Sequence, residues 1–95
     1  MKFLRYDADH QQLLFSVDVD KVDDPKQLLE LACEQLGLQL LKYEHGADRA
    51  FALVDFEGCN LEWHFEHYSE VMWLHSDTEE GADNLNFLAN WQQRI

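Results

Sequence analysis

The chain has 95 residues, a formal net charge of −12, 46% hydrophobic and 13% aromatic residues, two cysteines, four glycines and one proline. One domain of this size buries roughly 60–68% of the surface its unfolded chain exposes, and the apolar content is too high for disorder despite the charge. Two cysteines are too few for a disulfide scaffold. No stretch approaches the ~20 apolar residues of a membrane span, and MKFLRYDADH has no apolar run of signal-peptide length. A reduced, cytoplasmic protein is the expectation.

The acidity is uneven. No Lys or Arg occurs between Arg49 and Arg94, a span that holds Asp55, Glu57, Glu62, Glu66, Glu70, Asp77, Glu79, Glu80 and Asp83. Such a field repels nucleic-acid phosphates and anionic membrane surfaces and attracts basic protein patches or cations.

In chain order, Phe3 to Tyr6 is a candidate short strand, followed by a turn at DADHQQ. LLFSVDV (13 to 19) alternates as a strand, with Leu13, Phe15, Val17 and Val19 on one side. DDPKQLLELACEQLG is the best-marked helix. Asp24 suits the N-cap, Pro25 the first helical position and Gly37 the position just past the end. Leu28, Leu29, Ala32, Cys33 and Leu36 form its apolar face.

LQLLKYE (38 to 44) and RAFALVDF (49 to 56) read as strands joined by a turn at Gly46. The second is apolar on both sides, which predicts an interior place in a sheet. A turn at Gly58 leads into EWHFEHYSEVMWLHSD (62 to 77). A helix would align Leu61, Phe65, Tyr68 and Met72, but the content of Trp, Phe, Tyr and Val favours two strands, 61 to 68 and 71 to 76. SDTEE then opens a second helix, with Ser76 and Glu79 spaced as a capping box. Its apolar stripe is Ala82, Leu85, Leu88, Ala89 and Trp91, running to about Ile95. The predicted fold is α+β: an antiparallel sheet of four to five strands, in the order β-α-β-β-β-β-α, with both helices packed on one face.

The candidate sites follow from this pattern. A hairpin loop of even length puts Trp63, Phe65 and His67 on one face with Met72 and Leu74. Glu62, His64, Glu66, Tyr68, Trp73 and His75 then share the other. A two-residue loop at Ser69–Glu70 sets His64 directly opposite His75, and with Glu66 nearby the pair could hold Zn²⁺ or another divalent metal. The competing reading is the solvated face of an amphipathic hairpin, because Ser-Glu is poor chemistry for a tight hairpin turn.

Core-facing His67 reads as structural, and His10 and His45 as exposed turn residues. Cys59, placed in a turn, is the one plausible nucleophile, but its acidic neighbours and the lack of a glycine-built oxyanion hole argue against catalysis. Cys33 reads as a small core residue. No phosphate-cradling loop is present, and the acidic runs lack calcium-loop spacing.

The leading expectation is therefore a non-enzymatic interaction module that binds a basic partner surface, with a homodimer as one form. The alternative is a metal- or small-ligand-binding protein centred on His64 and His75 with Glu62 and Glu66.

Overall fold

The computed structural model describes residues 2–18 and 24–93. Eight elements follow in order: β1 (Lys2–Asp7), β2 (Gln12–Ser16), α1 (Pro25–Leu36), β3 (Gln39–His45), β4 (Arg49–Phe56), β5 (Cys59–Glu66), β6 (Val71–His75) and α2 (Glu79–Gln93). The strands form one antiparallel sheet in the order β1-β2-β6-β5-β4-β3. The α+β class is as expected, with six strands in place of four to five. The addition is β1, whose Phe3 and Tyr6 face the core opposite Phe15 and Leu13.

Residue alternation explains the burial. Leu13 and Phe15 of β2, Ala50, Ala52, Val54 and Phe56 of β4, Leu61, Trp63 and Phe65 of β5, and Met72 and Leu74 of β6 all point to one face and are buried. Both helices lie there. Contacts run from α1 to β3 and β4, and from α2 to β1, β2, β5 and β6. Helix α1 contributes Leu29, Ala32, Cys33 and Leu36 to the core, and α2 contributes Leu85, Leu88 and Ala89. The other face of the sheet carries no helix among the described residues.

Helix α1 begins and ends as its sequence dictates. Asp24 is extended (φ −138°) and accepts a bond from the Lys26 N–H at 3.0 Å, so the cap satisfies one of the donors that the first turn leaves free. Gly37 turns left-handed (φ 72°), which lets the Leu38 N–H reach the Cys33 carbonyl at 2.8 Å.

Helix α2 starts later than the capping-box spacing predicts. Thr78 Oγ1 accepts from the Gly81 N–H at 2.9 Å, while Ser76 is buried and its Oγ accepts from the Thr78 N–H at 3.2 Å. The serine shapes the approach and the threonine caps the helix. Trp91, placed on the buried stripe by spacing, is 41% exposed, because Leu85, Leu88 and Ala89 already fill the contact with the sheet. Val19 and Ile95 lie outside the described residues.

Both edge strands are irregular. The register slips between Phe3 and Arg5 in β1 and between Leu40 and Lys42 in β3, leaving Leu4 and Leu41 about half exposed. Such bulges bend an edge away from pairing with another chain. No described helix is long and apolar enough to cross a membrane.

Candidate functional site

The open face of the sheet gathers the residues that the sequence marks as chemical. In β5, Glu62, His64 and Glu66 point away from the core while Leu61, Trp63 and Phe65 point into it, as alternation requires. The hairpin to β6 then decides which open-face side chains meet. Its loop spans residues 67 to 70, with Glu66 paired to Val71 and Glu70 left-handed (φ 56°). Four loop residues keep the even parity, so the faces are as expected, but they shift the register by two. His64 pairs with Trp73, and His75 pairs with Glu62.

This register separates the expected metal ligands. The His64 and His75 rings lie diagonally, 6.3 Å between centroids. Glu66 sits four residues beyond Glu62, roughly 13 Å along the strand from the level of His75, and pairs instead with Arg49 at 3.3 Å. His75 Nδ1 donates to the Gln11 carbonyl at 3.1 Å, and its Nε2 faces Asp77 Oδ1 at 2.8 Å. His64 Nε2 lies 3.2 Å from Glu62 Oε1. His64 and His75 therefore meet edge-on while Glu66 is held away from His75 by its own ion pair, and the described residues contain no cluster of three His, Cys, Asp or Glu arranged to hold a metal ion.

The pairing produces an aromatic row instead. His64 stacks on Trp73 (5.3 Å, 10° between planes) and meets Phe51 edge-on at 5.3 Å. Extended across the sheet, the row reads Arg5, Leu14, Trp73, His64, Phe51, Glu44, one residue from each strand. A shallow cavity of about 380 Å³ opens over it, lined by Phe51, His64 and Trp73 with Glu44, Arg49 and Glu66. The sequence reading missed Phe51 and Leu53. The signal was available in the apolar character of both sides of RAFALVDF, which marks an interior strand and also leaves two large apolar groups on an uncovered face.

The remaining histidines and cysteines are accounted for. His67 lies in the exposed turn, not on the core face, because β5 ends at Glu66; its N–H donates to the Asp48 carbonyl at 3.0 Å. Tyr68 is in the same turn and 83% exposed. His10 is exposed and bonds Asp7 at 2.9 Å, which pulls that carboxyl below its ordinary range. His45 is exposed and stacks on Tyr43. Cys59 is not in the turn: it is the first residue of β5 and buried. Cys33 is a buried core thiol, raised to about 11 chiefly by burial, with the Trp63 N–H working the other way.

Charge is segregated between the two sides. Lys2, Arg5, Lys42 and Arg49 all belong to the open face, with Asp7, Glu44, Asp55, Glu62 and Glu66. Most are paired there: Arg5 with Asp7 at 3.7 Å, Lys42 with Glu44 at 3.0 Å, Arg49 with Glu66. The described helices carry Glu30, Glu34, Glu79, Glu80 and Asp83 against Lys26 alone.

The profile of one family, described as "Protein of unknown function (DUF3630)", matches residues 1–93, so the chain belongs to that family. No curated protein and no solved structure shows significant similarity to it.

Proposed function

We propose that this member of the DUF3630 family is a non-enzymatic interaction module that binds a basic protein surface on its helical side. The observation that carries the reading is the charge segregation. Helices α1 and α2 present five carboxylates and one lysine, while most of the described basic side chains lie on the opposite side of the molecule in ion pairs. A one-signed surface speeds encounter with a partner of opposite sign, and rim charges govern association rate more than affinity. A reducing, cytoplasmic setting belongs to the same reading, supported by two cysteines that are buried and unpaired.

The test is co-purification from the source cells at about 50 mM and about 500 mM salt, concentrations that change the screening length severalfold. The wild type is compared with a variant carrying Glu30→Gln, Glu34→Gln, Glu79→Gln and Glu80→Gln. A basic partner recovered by the wild type at low salt, and lost both at high salt and from the neutralised variant, is the expected result. Equal recovery by the neutralised variant, or no partner at either salt, refutes it.

A further inference from the structure

The open sheet face has the anatomy of an interface: an apolar centre and a rim of compensated charge. Leu14, Trp73, Phe51, Leu53 and Val71 are half-buried there in the single chain. We propose that a second copy of this chain covers the face, with the two sheets packed face to face about a two-fold axis that runs parallel to the strands between β5 and β6. This goes beyond the proposed function, which concerns the opposite side of the molecule.

Three observations select this occupant. The first is overall charge. A chain with a net charge of −12 repels its own copy nearly everywhere, but the open face balances four basic against five acidic side chains. That is the part of the described surface where a second copy meets little repulsion. A strongly basic partner would meet four basic side chains, Lys2, Arg5, Lys42 and Arg49, on the same face.

The second is the order of residues across the sheet. The proposed axis lays β1 over the partner's β3, β2 over its β4 and β6 over its β5. The central row, Arg5-Leu14-Trp73-His64-Phe51-Glu44, then meets its own reverse. Arg5 faces the partner's Glu44, Leu14 faces the partner's Phe51, and Trp73 faces the partner's His64. The adjacent row, Asp7-Gln12-His75-Glu62-Leu53-Lys42, carries the opposite polarity. Asp7 faces the partner's Lys42, and His75 faces the partner's Glu62. Both rows are self-complementary in sign, as an isologous contact requires.

The third is geometry. Bulges in β1 and β3 disfavour edge-to-edge pairing, which leaves the face as the way for two sheets to meet. Six strands about 4.8 Å apart and about five residues deep present on the order of 500 Å² per chain. The pair buries about 1,000 Å², the lower bound for a specific interface. Aligned packing with the sheets ~10 Å apart lets Trp73 and Phe51 interdigitate with the partner's side chains.

Sedimentation equilibrium on the full chain tests the proposal. The wild type is expected to dimerise with a micromolar Kd, and Trp73→Glu to raise that Kd at least ~30-fold, as loss of a central aromatic anchor does. Phe87→Glu, on the far side of the molecule, leaves it unchanged. Arg5→Glu alone weakens the dimer severalfold, and Arg5→Glu with Glu44→Arg recovers most of the loss, because both symmetric contacts are restored with reversed sign. Circular dichroism establishes that each variant is folded, and the charge-swap pair carries the test if Trp73→Glu is not. A wild type that stays monomeric to about 1 mM, a dimer disrupted by Phe87→Glu but not by Trp73→Glu, or additive losses in the double swap each overturn the proposal.

Discussion

The two faces of this sheet are made from alternate residues of the same strands, and they solve different problems. Trp63 and His64 are neighbours in β5. Trp63 is fully buried, packed on Phe15 at a ring distance of 5.5 Å and roofed by helices. His64 lies on the uncovered side, held by Trp73, Phe51 and Glu62. The covered face is apolar throughout and defines one core. The open face mixes aromatic rings with ion pairs, an arrangement that adds little to folding but is selective in what can lie against it. Stability therefore rests on the covered face, and the open face contributes little to it.

The contrast is sharpest in the two tryptophans. Trp63→Ala empties a fully buried site that facing elements cannot refill, and is expected to cost about 3–5 kcal/mol in chemical denaturation. Trp73→Ala, measured at concentrations where the chain is monomeric, removes only cross-strand contacts and is expected to cost about 1 kcal/mol. Equal losses at both positions would mean that the open face contributes to the fold as a second core.

An effect smaller than that of Trp63→Ala comes from the entry to α2. Alanine normally stabilises a helix position relative to glycine by up to ~1 kcal/mol. At Gly81 an added Cβ would overlap Ser76 Oγ and Cβ and come within 2.9 Å of Thr78 Oγ1. Gly81→Ala is therefore expected to destabilise by about 1–3 kcal/mol, the usual range for overpacking. Adding Ser76→Gly should return part of it. A rise in melting temperature for Gly81→Ala alone would show that the capping turn can move aside without loss.

What could be read from the sequence divides along the same line. Helix α1 was legible to the residue, because Asp24, Pro25 and Gly37 each have one physical use at a helix end. The faces of β5 and β6 were legible too, since period-two alternation fixes which side chains share a side. The register between them was not. Parity survives any even loop, and HYSE contains no glycine or asparagine to announce where the turn tightens, so a two-residue and a four-residue loop predict the same faces and different partners. The metal reading depended on that difference, with His64 opposite His75 in one register and opposite Trp73 in the other. The cap of α2 failed for a related reason: Ser76 and Thr78 carry the same capping chemistry, and only the tertiary position of Ser76 under Gly81 decides between them.

A further expected effect concerns pH, and again it separates the faces. Cys33 of α1 sits in the covered core, where burial raises its thiol to about 11 from an ordinary 9.0, with the Glu30 charge acting in the same direction. The Trp63 indole N–H, which has no nitrogen or oxygen partner among the described residues, favours the thiolate and limits the rise. Tyr43, packed beside the core, is raised as well, first by burial and then by the Asp24 charge. Both groups are neutral below their transitions, and the folded state holds them neutral to higher pH than the unfolded chain does. Their contribution to stability is therefore complete below about pH 9 and is lost as pH rises toward 11. Denaturation midpoints measured from pH 7 to 11 should fall over that upper interval, and Cys33→Ala should flatten the part of the decline that belongs to the thiol. In the folded protein at pH 8, Cys33 should resist alkylation. Rapid alkylation there, together with an alkaline slope that Cys33→Ala leaves unchanged, would place the thiol outside the core that the covered face defines.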